Sequence, residues 1–505
     1  MLPRIETNCR ILSRRLSYPR VSRGATASRP RESILRWNSS HAAPSTPQFE
    51  ISSKPSATSP DPSHSGQLLK LIKDSIKITG PLPVARYMQF CLGHPTQGYY
   101  TRKRTQAPGN EGESKVLEQV ETDVFGRKGD FITSPEISQM FGELVGVWFL
   151  TQWVAQGRPD NVRIVELGPG RGTLLDDILR TFQSVPSFPS TALRSVNLVE
   201  TSEPLRAQQR AKIQSRLETF GEHGKNVNVE FWNWVGEIPV EKDTFTIVLA
   251  HEFFDALPIH VFQKTEEGWR EIFVNVDSEW VPPATTESRP AIPAEQAHST
   301  PSTDPTSGLT LALSRESSTL SDILPTTSSR FEDVPVGGRV EISKDSYEMM
   351  RMVGKLVSGL EGEESEAQGG IGGVGLIVDY GMDGFSTNSF RAFRRHEIVH
   401  VFDDPGSADL TANVDFAYMK EALAGVATPH GPINQRSFLT SLGLAPRLDR
   451  LLQSAKTKEQ KIQIANAARR LVQEDGMGGE YQFLGITPRP AGSQAVEEEV
   501  YPFEV

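Results

Sequence analysis

The stretch IVELGPGRGTLLDDIL, residues 164–179, constrains the fold more than any other part of the chain. A β-branched run, VRIVEL (162–167), carries an acid near its end and leads into Gly168-Pro169-Gly170-Arg171-Gly172. An amphipathic segment opens at Thr173. Strand, glycine turn and helix in that order form the first half of a parallel βαβ unit. Glycines at alternate positions let the backbone turn tightly and bring a ligand against the main chain. A nucleoside-triphosphate loop is excluded, because no Gly-Lys-Ser/Thr follows. The dinucleotide pattern G-x-G-x-x-G fits less well, since its third glycine would fall at position 173, which is Thr.

Four further short runs read as strands: SVNLVE (195–200), NVEFW (228–232), FTIVLA (245–250) and GLIVDY (375–380). Helical stretches at 173–182, 203–219 and 343–358 separate several of them. This alternation predicts an α/β fold with a doubly wound, mostly parallel sheet. HVFQKTEEGWREIFVNV predicts a hairpin around Glu267-Gly268, inserted between the fourth and fifth strands. Residues 67–155 read as an N-terminal helical module. It has two short helices broken at Gly80-Pro81, then a longer helix entered at Ser134-Pro135-Glu136 with Ser134 as cap. The main domain spans 156–490, and 491–505 is a C-terminal tail. Between 281 and 335, 19 Ser/Thr and 8 Pro occupy 27 of 55 positions. That composition predicts a disordered insert, and 49–66 a disordered linker, because neither buries enough apolar surface to offset chain entropy.

The first 48 residues carry nine Arg, no Lys and only two acids, Glu6 and Glu32. An Arg-rich, Ser-rich, acid-poor leader reads as a mitochondrial transit peptide over 1–48. Arg10, Arg14 and Arg15 sit near Ile11, Leu12 and Leu16, the makings of an amphipathic helix. No apolar run approaches the ~18 residues of a bilayer span, so a matrix protein without membrane insertion is expected. Beyond the leader the chain holds 44 basic and 61 acidic residues, a net charge of −17. That balance argues against a nucleic-acid partner. Cys9 lies in the leader and Cys91 stands alone, which excludes structural disulfides and a Cys-based zinc site; no metal is expected.

The pattern E-x-G-x-G-x-G resembles the first motif of class I S-adenosylmethionine-dependent methyltransferases. That cofactor offers an ammonium, a carboxylate, a sulfonium and a ribose diol, and no pyrophosphate. The candidate cofactor residues are Glu166, Gly168, Pro169, Gly170 and Gly172 at the first turn. Glu166 can meet the amino-acid moiety, directly or through water. Glu200, ending the second strand, can accept both ribose hydroxyls. Trp232 and Asn233, after the third strand, are placed to flank or bond the adenine.

Beyond the glycine turn, PLPVARYMQFCLGHPTQGYY, GDFITSPEISQMFGELVGVW, HEFFDALPIHVFQ, LIVDYG and DLTANVDF together resemble the MidA-like family of methyltransferases, over roughly 67–280 and 336–488. The resemblance implies a class I methyltransferase fold with S-adenosyl-L-methionine as cofactor. Its mitochondrial branch implies a protein arginine methyltransferase that assists respiratory complex I assembly. The implied partner is the large ubiquinone-site subunit, and the implied product is symmetric dimethylarginine. One departure is Arg436 in INQRSFL, where a small residue is expected.

Methyl transfer is an in-line displacement that requires alignment and exclusion of water. A guanidinium nucleophile needs carboxylates to draw its charge away from the attacking nitrogen. Glu252 and Asp255 in AHEFFDALP, after the fourth strand, would share a face if they lie on one helical turn. Helix capping is the alternative role for that pair. His251 is a candidate general base, against a structural hydrogen-bonding role. Asp379 and Tyr380 are further pocket candidates, and Tyr99 and Tyr100 either cover the cofactor or pack. At the level of function the alternative is an assembly scaffold that binds the cofactor without catalysis.

Overall fold

The computed structural model describes residues 66–101, 133–277, 307–360, 370–489 and 500–503. The leader over 1–48 and the linker as far as residue 65 lie outside the described residues. In chain order, α1 (Gln67–Thr79), β1 (Leu82–Pro83) and α2 (Val84–Gly93) precede a single turn, α3 (Ser134–Ile137), and α4 (Gln139–Ala155). Then β2 (Val162–Leu167), α5 (Thr173–Ser184), β3 (Leu193–Val199), α6 (Glu203–Glu218), β4 (Asn228–Trp232) and β5 (Phe245–His251) alternate. The hairpin β6 (His260–Thr265) and β7 (Gly268–Val276) is followed by β8 (Leu309–Leu313), α7 (Thr319–Ile323), β9 (Arg339–Ile342), α8 (Lys344–Ser358) and β10 (Gly373–Met382). Next come β11 (Arg391–Arg394), β12 (Glu397–Val399), β13 (Asp409–Thr411), β14 (Val414–Asp415), α9 (Phe416–Leu423) and β15 (Ala427–Asn434). The last elements are α10 (Gln435–Ser441), α11 (Leu444–Ser454), α12 (Lys458–Val472), α13 (Met477–Glu480) and β16 (Tyr481–Pro488).

The main sheet runs β4-β3-β2-β5-β10-β16-β15. From β4 to β10 the neighbours are parallel, and β16 is antiparallel to both of its own. β2 and β5 are buried at every position, as parallel strands covered on both faces must be. Leu174, Leu175, Ile178, Leu179 and Phe182 form the buried stripe of α5, which packs on α4. The chain winds outward from β2 through β3 and β4, then returns to β5 on the opposite side of β2. Strand order therefore reverses between β2 and β5, and the turns that leave their C-terminal ends face one another across a crevice.

The other sheets are smaller. β1, β7, β6 and β9 form an antiparallel sheet with β8 added to β7, and β12-β11-β13 form a third. α1 and α2 share a buried core with these sheets, through Leu68, Ile72, Tyr87 and Met88 against Val261, Ile272, Val274, Ala392 and Leu410. The expected 67–155 module is therefore not one unit. α1, β1 and α2 join the second sheet, while α4 joins the main one, because each apolar face finds its partner in a distant part of the chain.

Three local expectations need correction. Ser134 opens only the short turn α3; α4 starts later and is capped by Ser138, whose hydroxyl accepts from Met140 N. The expected disordered insert reaches into ordered structure. From residue 307 onward the chain forms β8, α7 and short turns, and Leu309, Leu324, Phe331 and Val334 are buried. Arg330 secures this segment through ion pairs to Asp415 at 3.0 Å and Glu421 at 2.8 Å. A few well-spaced apolar residues suffice to dock a Ser/Thr-rich stretch. Residues 281–306 lie outside the described residues. The C-terminal tail also returns to the core: Tyr501 O accepts from Trp148 Nε1 at 2.9 Å, and Phe503 is buried against Trp148 and Phe438. Arg436 disturbs no turn, since it lies in α10 behind the Asn434 cap and pairs with Glu474.

Candidate active site

All three motif glycines adopt left-handed backbone, with φ of 62° at Gly168, 52° at Gly170 and 71° at Gly172. Residues with a side chain pay for that conformation, which explains the spacing. Gly168 has a second reason. A Cβ there would lie 2.6 Å from Phe253 Cδ2, so its bareness lets the turns after β2 and β5 close on each other. Gly172 caps α5, and Pro169 and Gly170 line the crevice.

The crevice has about 460 Å³ of empty space. Its walls include Glu166, Gly168, Pro169, Gly170, Thr173, Pro135, Glu136, His251 and Glu252. A larger open groove of about 670 Å³ runs beside α6, lined by Glu203, Arg206, Arg210 and Phe231. The smaller crevice is the chemically loaded one. Glu166 Oε2, His251 Nε2 and Glu252 Oε1 are all buried there without a hydrogen-bond partner. Native interiors rarely leave such atoms orphaned without a reason, and a ligand supplies one.

Glu166 is 2% exposed, and burial pushes its carboxyl up to about 8. An ammonium group would provide the missing partner. Glu200 follows β3 and reaches the glycine turn indirectly. Its Oε1 accepts from Ser202 N at 2.8 Å, and its Oε2 from Gln209 Nε2 at 3.2 Å. The same Gln209 amide donates to Gly170 O at 2.7 Å. Gln209 thus couples the turn to the second acid, a link that no spacing rule reveals. Trp232 and Asn233 stand further off. The Trp232 indole donates to Asn197 Oδ1 at 2.9 Å, and Asn233 Oδ1 accepts from Arg206 at 2.9 Å. Of the candidate cofactor residues, Glu166, Gly168, Pro169 and Gly170 line the crevice; Gly172, Glu200, Trp232 and Asn233 do not.

Glu252 and Asp255 do not lie on a helical turn. Glu252 has φ of 49°, and residues 252–258 are irregular. Asp379, at 0% exposure on β10, replaces the helical hydrogen bonds. Its Oδ2 accepts from Phe253 N at 3.1 Å, Phe254 N at 2.9 Å and Asp255 N at 3.3 Å. A carboxylate beside β5 competes successfully for these donors. The expected shared face is lost, yet both acids remain inside. Asp255 caps no helix; its backbone oxygen accepts from Ala412 N at 3.0 Å.

The acids form a buried group. Burial, together with the nearby Asp255 charge, pushes the Glu252 carboxyl up to about 8. Burial raises the Asp255 carboxyl, and the Arg391 charge offsets part of that rise. Burial, followed by the charges of Asp255 and Glu252, holds Asp379 well above the usual carboxylate range. Tyr100 donates to Asp409 Oδ1 at 2.8 Å at the edge of this group, and Tyr99 packs into the second core, so neither covers the glycine turn. His251 lies between Phe141 and Tyr481, and burial lowers its imidazole to about 3. It is neutral, so its 3.6 Å approach to Glu252 Oε1 is not an ion pair. Tyr481, Arg391 and Gln209 escaped the sequence reading, and only strand register and helix packing bring them here. Asp409 could have been found, because it opens the quoted motif DLTANVDF.

Residues 144–433 match the family described as "Putative S-adenosyl-L-methionine-dependent methyltransferase". The mouse protein named protein arginine methyltransferase NDUFAF7, mitochondrial, is 34% identical over 442 residues, covering 85% of this chain and 86% of its own. The zebrafish (Danio rerio) protein of that name is 35% identical, covering 83% and 86%. The Drosophila melanogaster homolog is 33% identical, covering 91% and 93%. A Burkholderia thailandensis crystal structure with S-adenosyl-homocysteine bound superposes with a TM-score of 0.61 at 21% identity, over 86% of this chain and 95% of that one, and shows the same fold. With the glycine turn, the orphaned acids and the reversed strand order all at one crevice, the chain belongs to this family of S-adenosyl-L-methionine-dependent methyltransferases.

Proposed function

We propose that the protein is a protein arginine N-methyltransferase of the mitochondrial matrix. Its target is an arginine of a respiratory complex I subunit, the large one at the ubiquinone site. Its product is symmetric dimethylarginine, and its work supports complex I assembly. One observation carries the reading: Glu252 Oε1, in the wall of the glycine crevice, and Asp255 Oδ1, three residues on, are both buried and unpartnered. Two carboxyl oxygens without hydrogen-bond partners and kept from water suit a guanidinium cation, which offers N–H donors and a positive charge. The relatives named as mitochondrial arginine methyltransferases support the substrate class and the compartment. The Arg-rich leader supports the compartment independently. The subunit and the product rest on the family resemblance.

S-adenosylmethionine, when bound, supplies a methyl group activated by a sulfonium. The glycine turn, Glu166 and Glu200 are the residues that would hold it, and the orphaned Glu166 oxygen fits its ammonium. Glu252 and Asp255 hold the guanidinium and draw positive charge toward the nitrogens they bind, which leaves the remaining nitrogen more nucleophilic. Alkylation releases one proton from that nitrogen. Glu252, whose unpartnered Oε1 lies in the wall of the crevice, is the acceptor for it. His251 is too weak a base for that task and serves as a wall, packed edge-on by Phe141. Asp379 keeps the 252–255 turn in place.

Mass spectrometry of mitochondrial arginines, in cells with and without the protein, tests the reading. Dimethylarginine on the complex I subunit should vanish on deletion and return with the wild-type chain. Unchanged arginine methylation across the organelle would refute it.

A further inference from the structure

The helices α11 and α12 form a hairpin that is held at its base and exposed beyond it. Only Leu444, Ala468 and Leu471 of the two helices are buried. Arg447, near the start, donates to Glu143 Oε1 on α4 at 2.7 Å. Near the end, the buried Gln435 donates to Leu471 O at 2.8 Å and accepts from Ser134 Oγ at 3.1 Å. α12 packs there against α3, the turn whose Pro135 and Glu136 stand in the crevice wall. The opposite face of α12 looks outward. Lys458, Lys461, Ile462, Ala465 and Arg469 share it at helical spacing, and all are exposed, Ile462 by 50%. No acid falls on this row. Residues 444–472 hold seven basic and two acidic residues, in a chain that beyond its leader holds 44 and 61.

We propose that the exposed face of α12 is a docking surface for an acidic segment of the protein substrate, one that flanks the target arginine. The inference rests on the arginine reading above. The two regions carry opposite charge. Buried acids at the crevice suit a guanidinium, and the basic row outside suits carboxylates. A substrate with its arginine beside acidic residues complements both, whereas a uniformly basic segment is repelled by the hairpin. An anionic bilayer fits the row less well. Interfacial helices bury a broad apolar face in the headgroup boundary, and this row offers only Ile462 and Ala465. A membrane surface would also meet the rest of the chain, which is strongly acidic. A peptide segment meets the hairpin alone, because screening confines exposed charges to a range of ~8 Å at physiological salt. The anchored base makes docking useful. Arg469 stands two residues from Leu471, whose carbonyl is tied to α3 through Gln435, so a segment held on α12 brings its arginine toward the crevice mouth.

The test uses the full mature chain as wild type, as the triple variant Lys458→Gln, Lys461→Gln, Arg469→Gln, and as Lys458→Arg with Lys461→Arg, which keeps the charge. The probes are the complex I subunit, a poly-glutamate peptide, and vesicles of phosphatidylcholine and phosphatidylserine in equal parts. KM for the subunit should rise about tenfold in the triple variant, from three exposed charge pairs at roughly a factor of two each. The rise should shrink at high salt. Turnover number and S-adenosylhomocysteine affinity should stay within about threefold, since the row does not touch the crevice. The arginine variant should match wild type. Poly-glutamate should compete with the subunit on the wild-type chain and not on the triple variant. An unchanged KM overturns the inference, and so does poly-glutamate that fails to compete. A parallel fall in turnover number or S-adenosylhomocysteine affinity overturns it too, as the signature of general damage. Vesicle binding that the triple variant loses assigns the face to lipid and overturns it as well. A wild-type chain that methylates no arginine of the subunit refutes the arginine reading instead. Direct binding of poly-glutamate to the wild type and the triple variant then decides the docking face by itself, and equal binding to both overturns it.

Discussion

Glu166→Gln removes one negative charge from the crevice and preserves the side chain's shape. In the free protein the carboxyl sits at about 8, raised by burial, so it is mostly protonated at pH 6.5. Binding an ammonium requires it to ionise. The wild-type protein should therefore release close to one proton per cofactor bound at that pH, and its affinity should rise about tenfold per pH unit until near pH 8. Above that, the cofactor's own α-amino group, with an ordinary pKa of ~7.7–8.0, begins to lose its proton and affinity declines. Glu166→Gln should bind without proton release, and its affinity should be flat below pH ~7.5. Near the optimum the loss should be about 1.5–3 kcal/mol, or roughly 10–150-fold, the scale of a hydrogen bond to a charged group. The sign for stability follows from the same shift. An acid whose folded pKa is raised costs nothing below its unfolded value near 4.5, and the folded state loses stability as pH rises from there to about 8. Free Glu166→Gln protein should accordingly lose less thermal stability than wild type between pH 5 and 9. Isothermal titration at pH 6.5, in two buffers of different ionisation enthalpy, counts the protons. Equal proton release and equal affinity in both proteins would refute the assignment of Glu166 to the ammonium.

Asp255→Asn and Glu252→Gln should leave cofactor affinity near wild type and lower methyl transfer by roughly 10²–10³, with the pair acting as a unit. Near-normal turnover would sink the catalytic role, and full rescue of complex I assembly by both mutants would favour the scaffold alternative. Gly168→Ala should abolish cofactor binding, because it strains a φ of 62° and drives a methyl group to 2.6 Å from Phe253; titration with S-adenosylhomocysteine reads it. Phe331→Ala should cost about 3–5 kcal/mol in chemical unfolding, since Phe331 is 1% exposed in the core beside Phe262 and Tyr418. A change under 1 kcal/mol would show that the segment from 307 to 335 does not hold the fold. N-terminal sequencing of protein purified from mitochondria should find a start before residue 67, and an intact Met1 in the cytosol contradicts the leader reading.

Strands and glycine turn were the legible part. The ranges read for β2 and β4 agree with the structure to the residue, because VRIVEL is rich in β-branched residues, NVEFW carries Val, Phe and Trp, and each run ends at a turn residue, Gly168 or Asn233. Glu166 was legible for the same reason, being an acid near the end of a strand that leads into glycines. The geometry of Glu252 and Asp255 was not. Their spacing of three suggests a helical turn, but Asp379, 124 residues beyond Asp255, takes the backbone donors a helix would have used. Composition misled at 307–335, where counting Ser and Thr hid four apolar residues that now lie in cores.

Local sequence determined what local physics can determine: which runs are strands, where the backbone must turn left-handed, which acid ends a strand and where an Arg-rich leader stands. These depend on side chains within a few residues of one another. Tertiary structure alone decided which acids share a buried space and which of their oxygens stay free. Tyr380 and Tyr481 are far apart in the chain and become neighbours only through the β10–β16 register. Gln209 reaches Gly170 only because α6 packs beside the turn. A carboxyl pushed to about 8 is the product of burial, and burial is a property of the assembled core, which no window of sequence contains.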